Sequence, residues 1–283
     1  MSDTPPKDPG KRRRGRPRQG ADADDFTDDR PFVSSLARGM SILRAFRAED
    51  RMLGTQVLAE RTGLHKTTVS RLLGTLTKLG YLRYMPEYGK YAISNQVLTL
   101  GYAVMGRFGF GELMRRRMEE IAAQGDCVVA LSVRDRLDMM FVELIREPTA
   151  IYLSLNVGSR IPMAESAPGR AYLFAAPEKE REAVLKELAQ HHGEAWQDHV
   201  EPALTASLDR MRRQGHSDSF GEWKPDHNAI GIPLYDPLTG DIYTLSVGGN
   251  ASVLTPERLR KEHLPKLLSA AQDISALGGG PTE

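Results

Sequence analysis

Lys66, Thr67, Thr68, Ser70 and Arg71 put an ammonium, three hydroxyls and a guanidinium into one short stretch. Lys and Arg neutralise phosphates. Hydroxyl side chains donate and accept while letting a backbone come close, and Arg also forks onto a base edge. The chemistry open to this set is recognition of a polyanionic duplex. Val69, Leu72, Leu73 and Leu76 recur at i, i+3, i+4 and i+7, one apolar helical stripe. Lys66, Thr67, Ser70 and Arg71 fall off that stripe, near the helix start. An ordinary amphipathic helix with a solvated face has the same pattern, so the neighbouring segments decide between the two.

Other reactive side chains do not form a catalytic pattern. Cys127 is the sole cysteine, which excludes an intrachain disulfide and a thiolate metal cluster within one chain. His191, His192, Glu194 and His199 lie close together, but adjacent histidines point different ways on a helix and the region reads as solvent-facing. No metal is expected there. Ser166, Asp226 and His227 make a triad only by free choice, because a Gly-x-Ser-x-Gly elbow is absent. Val247-Gly248-Gly249-Asn250 lacks the full dinucleotide or phosphate-loop fingerprint. The expectation is a chain with no catalytic residue and no cofactor; a small-molecule hydrolase is the weaker alternative.

A length of 283 residues suggests two domains. The shares of hydrophobic and charged residues, 40% and 27%, are those of a globular protein. No apolar run is long enough to span a bilayer, and no apolar segment follows the basic N-terminus, so a cytoplasmic location is expected. The net charge of +1 conceals an asymmetry. Residues 1–20 hold seven Lys/Arg against two Asp, and residues 21–29 hold five Asp and no base. Residues 30–110 hold twelve Lys/Arg against four acids, and residues 111–283 hold nineteen against twenty-six. A basic front third on an acidic remainder reads as a polyanion-binding module on a body with another task.

Residues 1–30 are rich in Pro, Asp and Arg and are expected to be disordered. Within them, Arg14-Gly15-Arg16-Pro17-Arg18 resembles the core of an AT-hook, whose arginines enter a narrow A·T minor groove. A nonspecific basic tail against phosphates is the other reading. From residue 32 the pattern is helical, with Val33, Leu36, Met40, Leu43 and Phe46 on one face and Ser34 or Ser35 as N-cap. Thr55 caps a second helix over residues 56–61 that buries Val57 and Leu58. A turn at Thr62-Gly63-Leu64 then leads into the opening stretch, and this makes a helix-turn-helix. Gly80 ends the recognition helix as a left-handed cap. Residues 81–84 and 90–93 form a hairpin wing that turns Arg83, Tyr88 and Lys90 toward flanking phosphates.

Residues 95–108 read as an apolar linker helix that needs a partner, most economically a second copy of itself. Beyond it, a helix over 112–123 precedes strands over 127–133, 138–143 and 150–155. A loop then runs into a short helix at Ser166-Ala167-Pro168-Gly169-Arg170-Ala171. Helices at 177–191 and 200–214, strands at 217–221, 229–235 and 242–248, and a closing helix capped by Thr255 complete the chain. The fold class is α+β: residues 31–94 a winged helix-turn-helix, 95–110 a linker helix, 111–283 a mixed sheet with packed helices.

Ser35-Leu36-Ala37-Arg38-Gly39-Met40, Leu58-Ala59-Glu60-Arg61-Thr62-Gly63-Leu64 and the Lys66-to-Leu73 block resemble the IclR family of bacterial transcriptional regulators. So do Gly158-Ser159-Arg160-Ile161-Pro162, Gly169-Arg170-Ala171, Gly221-Glu222 and Ile230-Gly231-Ile232-Pro233-Leu234-Tyr235-Asp236. The resemblance implies a winged helix-turn-helix followed by a GAF-like effector domain, in dimers or dimers of dimers that repress or activate operons for small-molecule catabolism. It implies DNA contacts from Lys66, Thr67, Thr68, Ser70 and Arg71, and from His65 where the family often has Pro. Thr55, Gln56 and Lys78 complete the candidate set with the wing and the tail arginines Arg14, Arg16 and Arg18. It also implies an effector pocket, for an organic or aromatic acid, formed by Leu153, Ile161, Met163, Ala167, Pro168, Ser219, His227, Ala229, Ser246 and Gly248. Two departures stand out: Pro168 lacks an N–H for an anion, and Trp223-Lys224-Pro225-Asp226-His227-Asn228 replaces a small glycine-containing turn. The expected partners are operator DNA, an effector and a second copy of the chain, with no membrane. An architectural DNA-binding protein built on the tail is the alternative; it has no use for a large acidic domain.

Overall fold

The computed structural model describes residues 32–47, 49–105, 111–123, 125–146, 155–236 and 239–277, with backbone alone for 102–105 and 277. The N-terminal tail and the segment 147–154 lie outside these residues, and with them fall Arg14, Arg16, Arg18, Leu153 and most of the strand expected at 150–155. The chain divides between Tyr102 and Ala103 into two compact units.

The first unit packs α1 (Ser34–Arg44), α2 (Thr55–Thr62) and α3 (Lys66–Lys78) against a hairpin of β1 (Leu82–Met85) and β2 (Lys90–Ile93). Its core is Ile42, Phe46, Leu53, Leu58, Val69, Leu73, Leu76 and Leu82. The face of α1 differs from expectation. Gly39, Ile42 and Phe46 turn inward, with Leu43 half-buried, whereas Val33, Leu36 and Met40 are exposed. Both sides of this helix carry apolar residues, and packing against α3 chooses between them. Val57 is likewise exposed, and only Leu58 of its helix is buried. The caps also move by one residue. Val33 precedes α1 and Gly54 precedes α2, neither with a side-chain cap, so Ser34 and Thr55 become the first helical residues.

Arg61 on α2 forks onto Asp50 (Nη2···Oδ1 3.1 Å) and donates to the Ala45 carbonyl at 2.9 Å. The guanidinium holds the Asp50 carboxyl below its usual pKa and ties α2 to the end of α1. At the end of α3, the Gly80 N–H donates to Thr77 O and the Tyr81 N–H to Leu76 O, both at 3.0 Å, which is a Schellman cap. Gly80 has φ +83°, and a Cβ there would meet the Gln96 amide. Leu53 adds a bridge to Tyr91, exchanging two 2.8 Å hydrogen bonds. Helix α4 (Val97–Met105) follows the hairpin and spans the boundary between the units.

The second unit is a three-layer sandwich. Its sheet has the order β5-β4-β3-β8-β7-β6: β3 (Val128–Asp135), β4 (Asp138–Arg146), β5 (Arg160–Pro162), β6 (Ser217–Phe220), β7 (His227–Tyr235) and β8 (Ile242–Asn250). All its pairings among the described residues are antiparallel, where the sequence suggested a mixture of directions. Residues 160–162, expected as loop, form the short β5 because Ile161 pairs with Met139.

One face of the sheet, with Val129, Leu131, Ile230, Leu245 and Val247, packs on α5 (Gly111–Ala122) and on a closing helix. That helix begins as α9 (Pro256–Arg258), capped by the Thr255 hydroxyl, passes through a π-helical turn at Leu259–His263 and continues as α10 (Leu264–Leu277). The other face, with Ala130, Met139 and Phe141, packs on α6 (Ala167–Ala175), α7 (Glu178–His192) and α8 (Glu201–Gln214).

Candidate nucleic-acid interface and ligand cleft

Helix α3 separates its two sides cleanly. Val69, Leu73 and Leu76 are buried, Leu72 is half-buried, and His65, Lys66, Thr67, Ser70 and Arg71 are exposed together at the N-terminal end. Thr68 is half-buried. His65 is the residue before the helix, in extended backbone; its Nδ1 lies 2.9 Å from the Thr67 hydroxyl and does not cap an N–H. Lys78 is exposed at the opposite end, roughly 18 Å along the axis from Lys66 at 1.5 Å per residue. Thr55 is half-buried at the start of α2, and Gln56 is exposed, its amide donating to Glu60 at 2.8 Å.

On the wing, Arg83 pairs with Ala92 and Met85 with Lys90. Cross-strand partners share a face, so Arg83 and Lys90 project from the same side. Tyr84 and Tyr91 stack on the other side, ring centroids 5.0 Å apart, and Tyr88 is exposed at the turn. The N-terminal half of α3 and one side of the wing therefore present cations and hydroxyls without an intervening acid, apart from Glu87 in the turn.

In the second unit the start of α6 opens onto a cleft of about 410 Å³, counting the part open to solvent. Its wall is apolar: Val128, Ala130, Phe141, Leu155, Ile161, Ala167, Pro168, Trp223, Ala229 and Gly248, with Ser166, Ser219, Ser246 and His227 as polar groups. Eight of the sequence-derived candidates are brought together here. Met163 is fully buried beneath, in the core under α6, and does not reach the cleft. Val128, Ala130, Phe141, Leu155, Ser166 and Trp223 join the wall without having been singled out for it. For β3 the signal was absent, because its run is apolar on both faces and does not say that Val128 and Ala130 look one way and Val129 and Leu131 the other.

The α6 start is fixed from several sides. The Ser166 hydroxyl accepts from the Gly169 N–H at 3.3 Å. Arg170 is 2% exposed; it donates to Ala164 O at 2.9 Å and Asp218 O at 2.7 Å and pairs with Glu222. A Cβ on Gly169 would lie 2.1 Å from Met163 O, and one on Gly231 would lie 3.2 Å from Ala167, so glycine permits the close approach of α6 to its neighbours. Ser217 donates to Ala167 O at 2.7 Å, with Gly231 O a further 2.9 Å contact, and Ser219 donates to Glu165 O at 2.6 Å.

The His227 ring packs edge-on to Trp223, centroids 5.2 Å apart and planes at 85°. Burial drives its pKa down to about 4, against the pull of Asp226 and with some help from Lys224. Ser166, His227 and Asp226 do not form a relay: Ser166 caps α6 and Asp226 is exposed. His192, expected at the surface, is half-buried, 5.3 Å from the His191 ring and 3.8 Å from Glu165. Among the described residues no group of three His, Cys, Asp or Glu side chains is placed to hold a metal, and no helix is long and apolar enough to cross a membrane.

A winged helix-turn-helix carried on the same chain as a sheet domain with an apolar cleft is the architecture of a DNA-binding regulator. Residues 35–86 match the IclR helix-turn-helix domain, and residues 103–276 match the bacterial transcriptional regulator IclR C-terminal domain. The chain is 32% identical to the HTH-type transcriptional regulator TsaQ1/TsaQ2 of Comamonas testosteroni, over 87% of this chain and 88% of that one. The crystal structure of an IclR family regulator from Brucella abortus aligns with a TM-score of 0.80 at 34% identity, over 90% of this chain and 96% of that one. An IclR homologue from Microbacterium hydrocarbonoxydans, solved with 4-hydroxybenzoate, shares the fold: TM-score 0.67 at 19% identity, over 86% and 99% of the two chains. The chain belongs to the IclR family of bacterial transcriptional regulators. It is a DNA-binding regulator with a C-terminal effector-binding domain, and not an enzyme.

Proposed function

We propose that this chain binds an operator as a dimer or dimer of dimers, and that an aromatic or other organic acid from a catabolic pathway, held in the cleft at α6, changes its operator affinity. The cleft carries the reading. Its largely apolar wall with a few convergent polar groups at a helix start is the composition usual for small-molecule sites. Phe141 and Trp223 suit a flat ring, and Ser166, Ser219, Ser246 and His227 are the polar groups a ligand's polar end would meet. The Microbacterium protein, of the same fold, was solved with an aromatic acid of this kind.

In this proposal His65, Lys66, Thr67, Thr68, Ser70 and Arg71 meet the operator, with Thr55, Gln56, Arg83, Tyr88 and Lys90 on flanking phosphates. Lys78 and the tail arginines Arg14, Arg16 and Arg18 add further cationic contacts to the DNA. Phe32, Val33, Leu36 and Met40 around α1, and Leu98 and Leu100 on α4, leave apolar surface that a second copy would cover. The working compartment is the bacterial cytoplasm, on the nucleoid. The test is a thermal-shift screen of the full chain against benzoates and other organic acids, since binding to the native state raises Tm. At least one acid is expected to raise it; a panel that raises it nowhere contradicts the effector reading.

A further inference from the structure

Among the described residues, the cleft proposed above as the effector site is lined by no Lys, Arg, Asp or Glu. A carboxylate taken into apolar surroundings without a compensating charge or full set of donors is strongly disfavoured. The usual compensation, the amide cluster at a helix start, is depleted here. Pro168 has no N–H, and the Gly169 N–H already donates to the Ser166 hydroxyl at 3.3 Å. Arg170, the nearest guanidinium in sequence, is turned away onto Ala164 O, Asp218 O and Glu222. Ser219 donates its proton to Glu165 O.

Neutral donors such as the Ala167 N–H remain at the α6 start, but among the described residues of the wall only His227 can become a cation. Its Nε2 would lie 2.8 Å from a Cβ on Gly248, so the missing side chain on β8 is what lets the ring lie against that strand. The ionisable groups acting on it are both in its own loop, Asp226 favouring the charged form and Lys224 opposing it. The strand beside it contributes Gly248, Gly249 and Asn250, and the α6 start contributes Ser166, Ala167 and Pro168; none of these titrates.

Resting on the effector reading of this cleft, we infer that the site admits no net negative charge: a carboxylate binds together with one proton, taken from solvent onto the His227 imidazole, and an uncharged ligand of the same shape binds without one. His227 is thus a specificity-determining residue as well as part of the wall. Burial keeps the empty site's imidazole neutral, and the incoming anion supplies the partner that makes the imidazolium favourable.

Isothermal titration of the full chain with benzoate and with benzamide, between about pH 5.5 and 8, tests this. Benzoate affinity is expected to fall as pH rises, approaching about tenfold per unit where the free imidazole is neutral and the bound one is protonated. Titration in buffers of different ionisation enthalpy should show one proton taken up per benzoate. Benzamide should show neither effect. His227→Gln should bind benzoate without the slope and should lose more affinity for benzoate than for benzamide. Benzoate binding without pH dependence or proton uptake overturns the inference and leaves the effector reading standing. A slope that survives in the variant puts the proton on the ligand and overturns the role of His227. If neither compound binds, the aromatic-acid reading of the cleft fails, and the inference with it.

Discussion

Arg71 and Arg170 carry the same guanidinium to opposite ends. Arg71 is exposed on α3, while Arg170 is buried on α6 with three acceptors around it. Arg71→Ala should leave stability within about 0.5 kcal/mol and weaken operator binding by roughly 1–3 kcal/mol. Operator affinity unchanged in a titration would move the recognition surface off α3. Arg170→Ala should lose about 3 kcal/mol in urea denaturation, part of the cost being relieved because Glu222 reaches solvent. The role of Arg71 was legible because register and chemistry are local to α3. That of Arg170 was not, since its acceptor on Asp218 lies 48 residues away.

His263 gives a residue-level signature of its own. It is fully buried in the π-helical turn, with neither ring nitrogen hydrogen-bonded among the described residues, and burial holds its pKa below 6.5. The unfolded chain therefore takes up the proton first as pH falls. The stabilising effect is present above about pH 6.5 and is lost below it, by at most about 1.4 kcal/mol per pH unit. Tm should drop between about pH 7 and 5.5, and His263→Leu should reduce that drop. An equal drop in the variant would assign the acid sensitivity to other groups; His227, lowered to about 4, acts in the same direction.

At the scale of elements, α6 is the most constrained. Its start was readable from Ser166, which caps the helix, and from Pro168 in the first turn. Its closeness to β7 was not readable, because that depends on Gly231 leaving room at a distant strand. Pro168→Ala would restore one N–H to the helix start. Carboxylate affinity should then rise roughly fivefold, the worth of about 1 kcal/mol of hydrogen bond, in the same titration. Unchanged affinity would place the α6 start off the ligand path.

Helix α1 shows the opposite limit. Its sequence was read as one face with Val33, Leu36, Met40, Leu43 and Phe46, but packing against α3 buries Gly39 and Ile42 with Phe46 instead and leaves Val33, Leu36 and Met40 facing out. The recognition helix carried a single apolar stripe, so its faces were legible without that knowledge.

Across the whole chain, the division of charge was already plain: a basic front and an acidic body. Removing residues 1–20 takes away seven Lys/Arg. DNA binding should weaken and its dependence on salt should flatten, since fewer counterions are released. An unaltered slope would show that the tail stays off the duplex. Apart from β5, the order of the described elements followed from periodicity and turn residues. The strand directions and the wall of the cleft did not, because they are set by contacts between distant segments.

The central claim is that ligand in the cleft and operator on α3 are coupled. The direct measurement is fluorescence anisotropy of a promoter fragment titrated with the full chain, with and without the acid that raises Tm most. A shift in Kd of roughly 5- to 150-fold, about 1–3 kcal/mol, is expected, with DNA shifting the ligand Kd by the same factor. Saturating ligand that leaves the DNA affinity unchanged would contradict the account.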